Sequence, residues 1–479
     1  MENKAIPEHQ TTKQRYIPAW LSGVLISNAW LRKAFSIGFW ILIWQLTAVV
    51  VNNDILLSSP IQTVQALLEN ALKTGFWTAI GFSMLRILLG FSAAFLLAII
   101  TGALAWRWPI LAELLNPMVT FIKSVPVVCF IVMLLIWFGA RWVSLSAVLL
   151  VAYPAFYFAV LEGLGQRDEK LNEMLRVFRV TGRRKMLSYH WPAILPFIQA
   201  ASKTAVGMSW KSGVAAELIG LPMGSIGEAI YRSKILLNSA DVFAWTLVVV
   251  GLSIMAEKAF LLLLQRSDDL TWQLAMPRRQ ANQPAMSAVS AISVNNLYKS
   301  YGDKTVLHGL SIQLDPGGRY LLSSPSGTGK TTLLHLLAGL ELADSGVINN
   351  PNRVAMVFQE ARLFERRSAL ENISLVCGSM VNAAEIQNAL LELLPADALN
   401  LPVQQLSGGM RRRVEICRAV LTPSQILLLD EPFTGLDSES ANLTYGLINR
   451  LLNKRILVFA SHDLLDGKML AAETVTLDQ

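Results

Sequence analysis

Charge is scarce in this chain. Only 16% of its 479 residues are Asp, Glu, Lys or Arg, while 53% are apolar. Average soluble domains carry about 25% charged residues, so the balance argues against a wholly soluble protein. Cysteine is scarcer still, at three: Cys129, Cys377 and Cys417. None stands in a paired metal-ligand spacing, and an odd count gives no disulfide framework. All three read as small core residues. Residues 1–20 hold no apolar stretch ahead of a small-residue cleavage site. No cleavable signal is expected there, and the first long apolar run, from Ala34, is expected to stay as an anchor. The net charge of +7 would suit nucleic acid in a soluble protein. Here Lys and Arg gather beside the apolar runs, as they do on the cytoplasmic side of a membrane, so no nucleic-acid partner is expected.

The averages hide two halves. Residues 34–264 carry long apolar runs, whereas 292–479 have ordinary globular composition with alternating strand and helix patterns. A helix needs about 20 apolar residues to cross a bilayer. Six candidate spans follow, near 34–51, 78–105, 125–139, 143–161, 193–214 and 244–264. Lys203 and Lys211 interrupt the fifth. Basic residues set the orientation. Arg32 and Lys33 precede the first span, Arg107 follows the second, and Arg167 to Lys185 supply seven cations after the fourth. With six spans these loops share the cytoplasmic side, although Arg141, Arg232 and Lys234 fall outside.

The basic segment Arg167 to Trp191 is too charged to enter lipid and reads as short helices at the cytoplasmic surface. It resembles the coupling segment of bacterial importer permeases, whose pattern is Glu-Ala-Ala, three residues, Gly, then an Ile/Leu-Pro ending. One register keeps Gly182 as the glycine but puts Arg176 at the Glu. Another keeps Glu173 as the Glu but puts Arg179 at the glycine. Ser83 to Phe91, and Lys123 to Pro126 leading into Leu135 to Gly139, resemble permeases of the nitrate, sulfonate and taurine importers. The linker 267–291, with Pro277, Gln280, Asn282, Gln283, Pro284 and Ser287, lacks periodicity and reads as a flexible tether.

In the second half, the strand Tyr320 to Ser323 runs into Ser324-Pro325-Ser326-Gly327-Thr328-Gly329-Lys330-Thr331-Thr332 and then a helix. Strand, glycine-rich turn and helix N-terminus form a phosphate-binding loop. Its backbone N–H groups would wrap a β-phosphate. Lys330 would neutralise the β- and γ-phosphates and Thr331 would bind Mg²⁺. The motif's first glycine is Ser324 here, a strained choice if that position needs positive φ. Ile426 to Leu429 is a buried strand delivering Asp430 and Glu431. Asp430 suits Mg²⁺, and Glu431 suits a general base acting on water. Two carboxylates at the end of a buried strand call for a nearby cation.

These motifs, with Leu406-Ser407-Gly408-Gly409-Met410 between them, resemble the ATP-binding cassette (ABC) ATPases. The resemblance implies that Tyr301 stacks on adenine and that Gln359 reaches Mg²⁺ and the attacking water. It implies that His462, after the strand Ile456 to Ala460, contacts the γ-phosphate, and that Gly435 to Asp437 is a dimer-contact loop. Ser407, Gly408, Gly409 and Met410 would act on the ATP held by a second copy of the chain.

The expected fold is an all-α polytopic membrane domain followed by an α/β P-loop domain of ABC type. The expected divisions are a cytoplasmic N-terminal segment 1–33, a permease domain 34–266, the linker 267–291 and a nucleotide-binding domain 292–479. The expected function is ATP-driven import of a small anionic nutrient across a bacterial cytoplasmic membrane. The implied working unit is a homodimer in lipid, with ATP and Mg²⁺ as cofactors and an external substrate-binding protein as partner. The alternatives are an exporter half-transporter, which commonly has longer helices projecting into the cytoplasm, and an ATPase driving a non-transport complex. A dead ATPase would need the loss of Lys330, Asp430 or Glu431, and all are present.

Overall fold

The computed structural model describes residues 29–276, 288–325 and 327–477. The expected segment 1–33 therefore lies largely outside the described residues, as do Ser326 and the linker residues from Pro277 to Ser287. The chain divides into two compact units, Met1–Phe158 with Ala200–Phe260, and Ala159–Gln199 with Leu261–Gln479.

The first unit is helical. Among the described residues, four helices are long and apolar enough to cross a membrane: Trp30–Val51, Thr74–Arg107, Val127–Gly165 and Ser239–Ala275. Their outward positions are apolar, among them Trp40, Leu85, Ile100 and Ile254, because lipid rather than water is the solvent there. Cys129 is exposed on such a surface, which corrects the expectation of a core residue; Cys377 and Cys417 are buried. The stretches expected as third and fourth spans belong to one helical run broken at Gly139, whose φ of 72° and ψ of 172° no other residue type adopts readily. The helix Trp191–Gly220 is also long and carries Lys203, Lys211 and Glu217, but it is not among these four.

Close packing explains two residues of the Ser83 to Phe91 phrase. A Cβ at Gly90 would lie 2.5 Å from the Leu145 carbonyl oxygen, so glycine lets two helices touch at the backbone. Phe91 meets the rings of Phe156 and Phe260 edge-on, with centroids 5.4 and 4.9 Å away. Edge-to-face contacts at that distance are favourable.

The second unit holds the ATPase. Strands β1 (Ile292–Tyr301), β2 (Lys304–Leu314) and β4 (Ser345–Asn349) form an antiparallel sheet with β1 central. Strands β3 (Arg319–Leu322), β5 (Val354–Val357), β6 (Ile426–Asp430), β7 (Ile456–Ala460) and β8 (Glu473–Val475) form a parallel sheet in the order β5-β6-β7-β3-β8. Every residue of β5, β6 and β7 is buried, as parallel strands covered on both faces must be. The linker expectation needs correction at its start. The helix Ser239–Ala275 runs straight through 267–275, and Trp272 and Ala275 are buried in this unit's core.

The segment Arg167 to Trp191 also packs in the second unit. It folds as the helix Glu169–Val177, a helical turn Gly182–Lys185 and a π-turn Met186–His190. Asp168 caps the first helix by accepting the Lys170 N–H at 2.9 Å. Met174, Leu175, Val177 and Phe178 join the ATPase core.

Candidate functional site

Ligands of open α/β sheets bind beyond the carboxyl ends of the parallel strands. Four of the five parallel strands end here in candidate residues. The phosphate loop follows β3, and Gln359 follows β5. Asp430 and Glu431 end β6, and His462 follows β7. Strand register aligns them: Val357 pairs with Leu429, and Asp430 with Ala460.

The loop's glycines meet different demands. Gly327 has φ of +85° and Gly329 of +95°. A Cβ at Gly329 would also lie 2.7 Å from Val306 Cγ1, so that position excludes side chains twice over. Lys330 opens the helix Lys330–Leu337 and is 7% exposed. Its ammonium donates to the Ser324 and Pro325 carbonyls, the latter at 3.2 Å. Thr328 Oγ1 donates to the Pro325 carbonyl at 2.9 Å. Ser324 is absent from the residues with positive φ, so the expected strain does not arise. Its hydroxyl accepts the Leu477 N–H at 2.9 Å, a tether that glycine could not make.

Asp430 is 1% exposed. Burial pushes its carboxyl up, and the bonded Thr331 hydroxyl opposes that shift. Its Oδ2 is buried without a hydrogen-bond partner. A buried carboxylate oxygen left free beside a threonine hydroxyl fits a hard cation. Among the described residues no three His, Cys, Asp or Glu side chains form a cage. Mg²⁺ is usually held by one or two protein groups plus substrate phosphates.

Glu431 turns off the sheet at φ of +48°, a conformation rare for non-glycine residues and often found at working sites. Its N–H donates to the Ala460 carbonyl at 3.1 Å. Its Oε1 lies 3.1 Å from His462 Nε2, so the two strand ends meet through their side chains. Gln359 is exposed just after the buried Phe358.

Tyr301 ends β1 and is 49% exposed. Its hydroxyl donates to Glu341, and Glu341 Oε1 lies 3.0 Å from His335 Nδ1 on the phosphate-loop helix. Sequence reasoning missed that chain of contacts. Ser407 caps the helix Gly408–Leu421, accepting the Met410 N–H at 3.2 Å, with Ser407 and Gly408 exposed. Arg412 was missed too. Buried in the same helix, it donates to the carbonyls of Phe358, Asp430, Glu431 and Pro432. The Arg411 to Arg413 run was its only signal.

Two family models match the chain. Residues 307–434 match the ABC transporter model. Residues 87–267 match the inner membrane component of binding-protein-dependent transport systems. An aliphatic sulfonates import ATP-binding protein of Rhodococcus jostii is 36% identical over 39% of this chain and 71% of its own length. Another, of Nocardia farcinica, is 37% identical over 40% of this chain and 78% of its own. Among solved structures, a putative ABC transporter ATP-binding protein from Pyrococcus furiosus aligns over 39% of this chain and 98% of its own, at 24% identity and TM-score 0.35. The chain belongs to the ABC transporter family. It fuses an importer-type permease to its ATPase in one polypeptide, and it is an ATP hydrolase coupled to transport. It is a membrane protein with its ATPase in the cytoplasm.

In this ABC transporter the helix Glu169–Val177 meets the loop after Gln359. Glu173 Oε2 accepts from Arg362 Nη1 at 2.6 Å, and Lys170 pairs with Glu360. Arg367 bonds Asp268 and Asp269 at 2.8 and 3.0 Å, and its guanidinium lies 4.6 Å from the Trp272 ring centroid. Both glycine registers of the segment find positive φ: +57° at Gly182 and +56° at Arg179. Arg179 follows the end of the helix, where Val180 N–H bonds back to the Leu175 carbonyl at 2.8 Å. Glycine usually fills such a helix-ending place, which favours the register with Glu173. Gly182 has open space around its Cβ position and starts the following turn.

In the membrane half, Glu217 is fully buried, whereas Lys203 and Lys211 are exposed. Its Oε2 accepts from Ser83 Oγ at 2.7 Å and from the Gly227 N–H at 3.4 Å. The Ile226 N–H donates to Ser83 Oγ at 2.9 Å. The pair thus closes the N-terminus of the helix Ile226–Ile235.

Proposed function

We propose that this ABC transporter works as a homodimer that imports a small anionic nutrient, of the sulfonate, taurine or nitrate class, across the bacterial cytoplasmic membrane. An external binding protein delivers the cargo. The relatives named for aliphatic sulfonate import support the cargo class. The permease-family match supports the need for a binding protein.

The observation that carries the ATP-driven part of the reading is the meeting of Lys330, Asp430, Glu431 and His462 beyond adjacent parallel strands. The phosphate-loop N–H groups and Lys330 would bind the β- and γ-phosphates. Thr331 and Asp430 would hold Mg²⁺, with Gln359 at the water side; the ion would neutralise developing phosphate charge. Glu431 would take the proton from the attacking water. His462, 3.1 Å from Glu431 Oε1, would contact the γ-phosphate. Tyr301 offers its exposed face to adenine. Ser407, Gly408, Gly409 and Met410, at an exposed helix N-terminus, suit the phosphates held by the second copy. The helix Glu169–Val177 receives the resulting motion and passes it to the spans.

The test is transport into sealed vesicles with outward-facing ATPase domains and lumenal binding protein. An importer expels labelled sulfonate from the lumen on ATP addition, only with binding protein inside. ATP-driven accumulation that needs no binding protein would instead establish an exporter.

A further inference from the structure

The helix Gly408–Leu421 carries charge where core helices carry none. Arg412, Glu415 and Arg418 recur every three residues, which keeps them on one side of the helix. They are 7%, 0% and 0% exposed. Burying such a triad costs several kcal/mol per ion, and well-packed apolar residues are often as stable. Stability alone is therefore a poor reason for it.

The contacts run in two directions from Glu415. Toward the nucleotide side, Glu415 Oε2 lies 3.3 Å from Arg412 Nη1. Arg412 in turn holds the carbonyls of Phe358, Asp430, Glu431 and Pro432. Those carbonyls belong to the strand ends that carry Gln359, Asp430 and Glu431. Toward the helix Glu169–Val177, Glu415 Oε1 accepts the Arg362 N–H at 2.7 Å. The Arg362 side chain bonds Glu173 at 2.6 Å. Arg418 Nη1 donates to the Arg362 carbonyl at 2.7 Å, and its guanidinium stands 5.2 Å from the Phe178 ring centroid.

We propose that Glu415 is a positioning residue for ATP hydrolysis, linking the strand ends that present Asp430 and Glu431 to the coupling helix through Arg412 and Arg362. The inference rests on the reading of Glu169–Val177 as the coupling helix. Glu415 is fully buried and acts only through its protein neighbours. It fixes the place of Arg412 on one side and of Arg362 on the other, so a shift of Glu173 reaches the hydrolytic carboxylates through hydrogen bonds to backbone. A charged, directional chain of this kind moves as a unit or breaks, whereas an apolar contact slides.

The test is a double-mutant cycle on the full-length protein in lipid nanodiscs, with ATP hydrolysis as the readout. E415Q is expected to lower kcat about tenfold and E173Q about threefold, each at unchanged KM for ATP. The double variant is expected to match E415Q, because both changes break one chain. A double variant slowed by the product of the two, about thirtyfold, overturns the linkage and leaves the coupling reading intact. E173Q without effect overturns the coupling reading and the linkage together. A melting temperature lowered by E415Q at wild-type kcat means a packing role only and also overturns it. Should E415Q fail to assemble, R418K enters the same cycle, since it keeps the charge and loses the planar fork.

Discussion

Glu431 Oε1 and His462 Nε2 are 3.1 Å apart and join the ends of β6 and β7. The carboxylate is held through both oxygens: the exposed imidazole meets Oε1, and Thr434 Oγ1 donates to Oε2 at 3.4 Å. Glu431→Gln keeps this shape and removes the carboxylate proposed as the base. ATP hydrolysis should fall by about 10²- to 10⁴-fold while ATP binding persists. Single-turnover kinetics with labelled ATP measure the first, and equilibrium binding the second. Undiminished hydrolysis in this variant removes Glu431 from the role.

Gly329→Ala should weaken nucleotide binding more than it unfolds the protein. Its φ of +95° costs an L-residue roughly 1–2 kcal/mol, and the new Cβ would press on Val306 at 2.7 Å. Titration with a fluorescent ATP analogue should show at least about tenfold weaker binding, the equivalent of 1.4 kcal/mol.

Ser324→Gly should behave in the opposite way. It restores the glycine of the common phosphate-loop pattern yet loses the bond to the Leu477 N–H. The expected cost is about 1 kcal/mol, a melting temperature lower by roughly 2–4 °C. Affinity for ATP should not change, because the Ser324 hydroxyl faces the C-terminal chain and not the loop interior. A weaker KM without thermal loss would assign the hydroxyl to nucleotide instead.

His190 gives the protein an acid-sensitive joint. Burial pushes its imidazole down to about 4, helped by the nearby Lys185 and Arg167 charges. The unfolded imidazole titrates near 6.5, so its folded value is depressed. Its contribution to stability is whole above about pH 6.5 and drains away as pH falls toward 4. His190→Gln should flatten the fall in melting temperature across that window. An unchanged slope would place the acid sensitivity elsewhere.

The ATPase was legible because its chemistry is local. Lys330 follows Gly329 in sequence and in space, and Asp430 ends an apolar run that can only be a buried strand. Glu415 was not legible. Its neighbour Arg362, and Glu173 beyond it, lie far from it along the chain, and no periodicity announces a buried carboxylate among arginines. The linker start was misread for a related reason. Residues 267–275 are polar enough to look like a tether, but Trp272 packs against Phe364, with centroids 5.2 Å apart, and holds the helix on.

By itself the sequence determined the two kinds of solvent, lipid for the first half and water for the second, since hydropathy is a property of each residue. It also determined the phosphate loop and the strand-end carboxylates, whose geometry follows from backbone preferences over a few residues. Only the tertiary structure decided which glycine-like position of the basic segment ends its helix, that Ser324 ties the C-terminal chain, and that Glu173, Arg362 and Glu415 form one chain of contacts. Those depend on which distant surfaces meet, and that is settled by burial and register across the whole sheet, not by any local pattern.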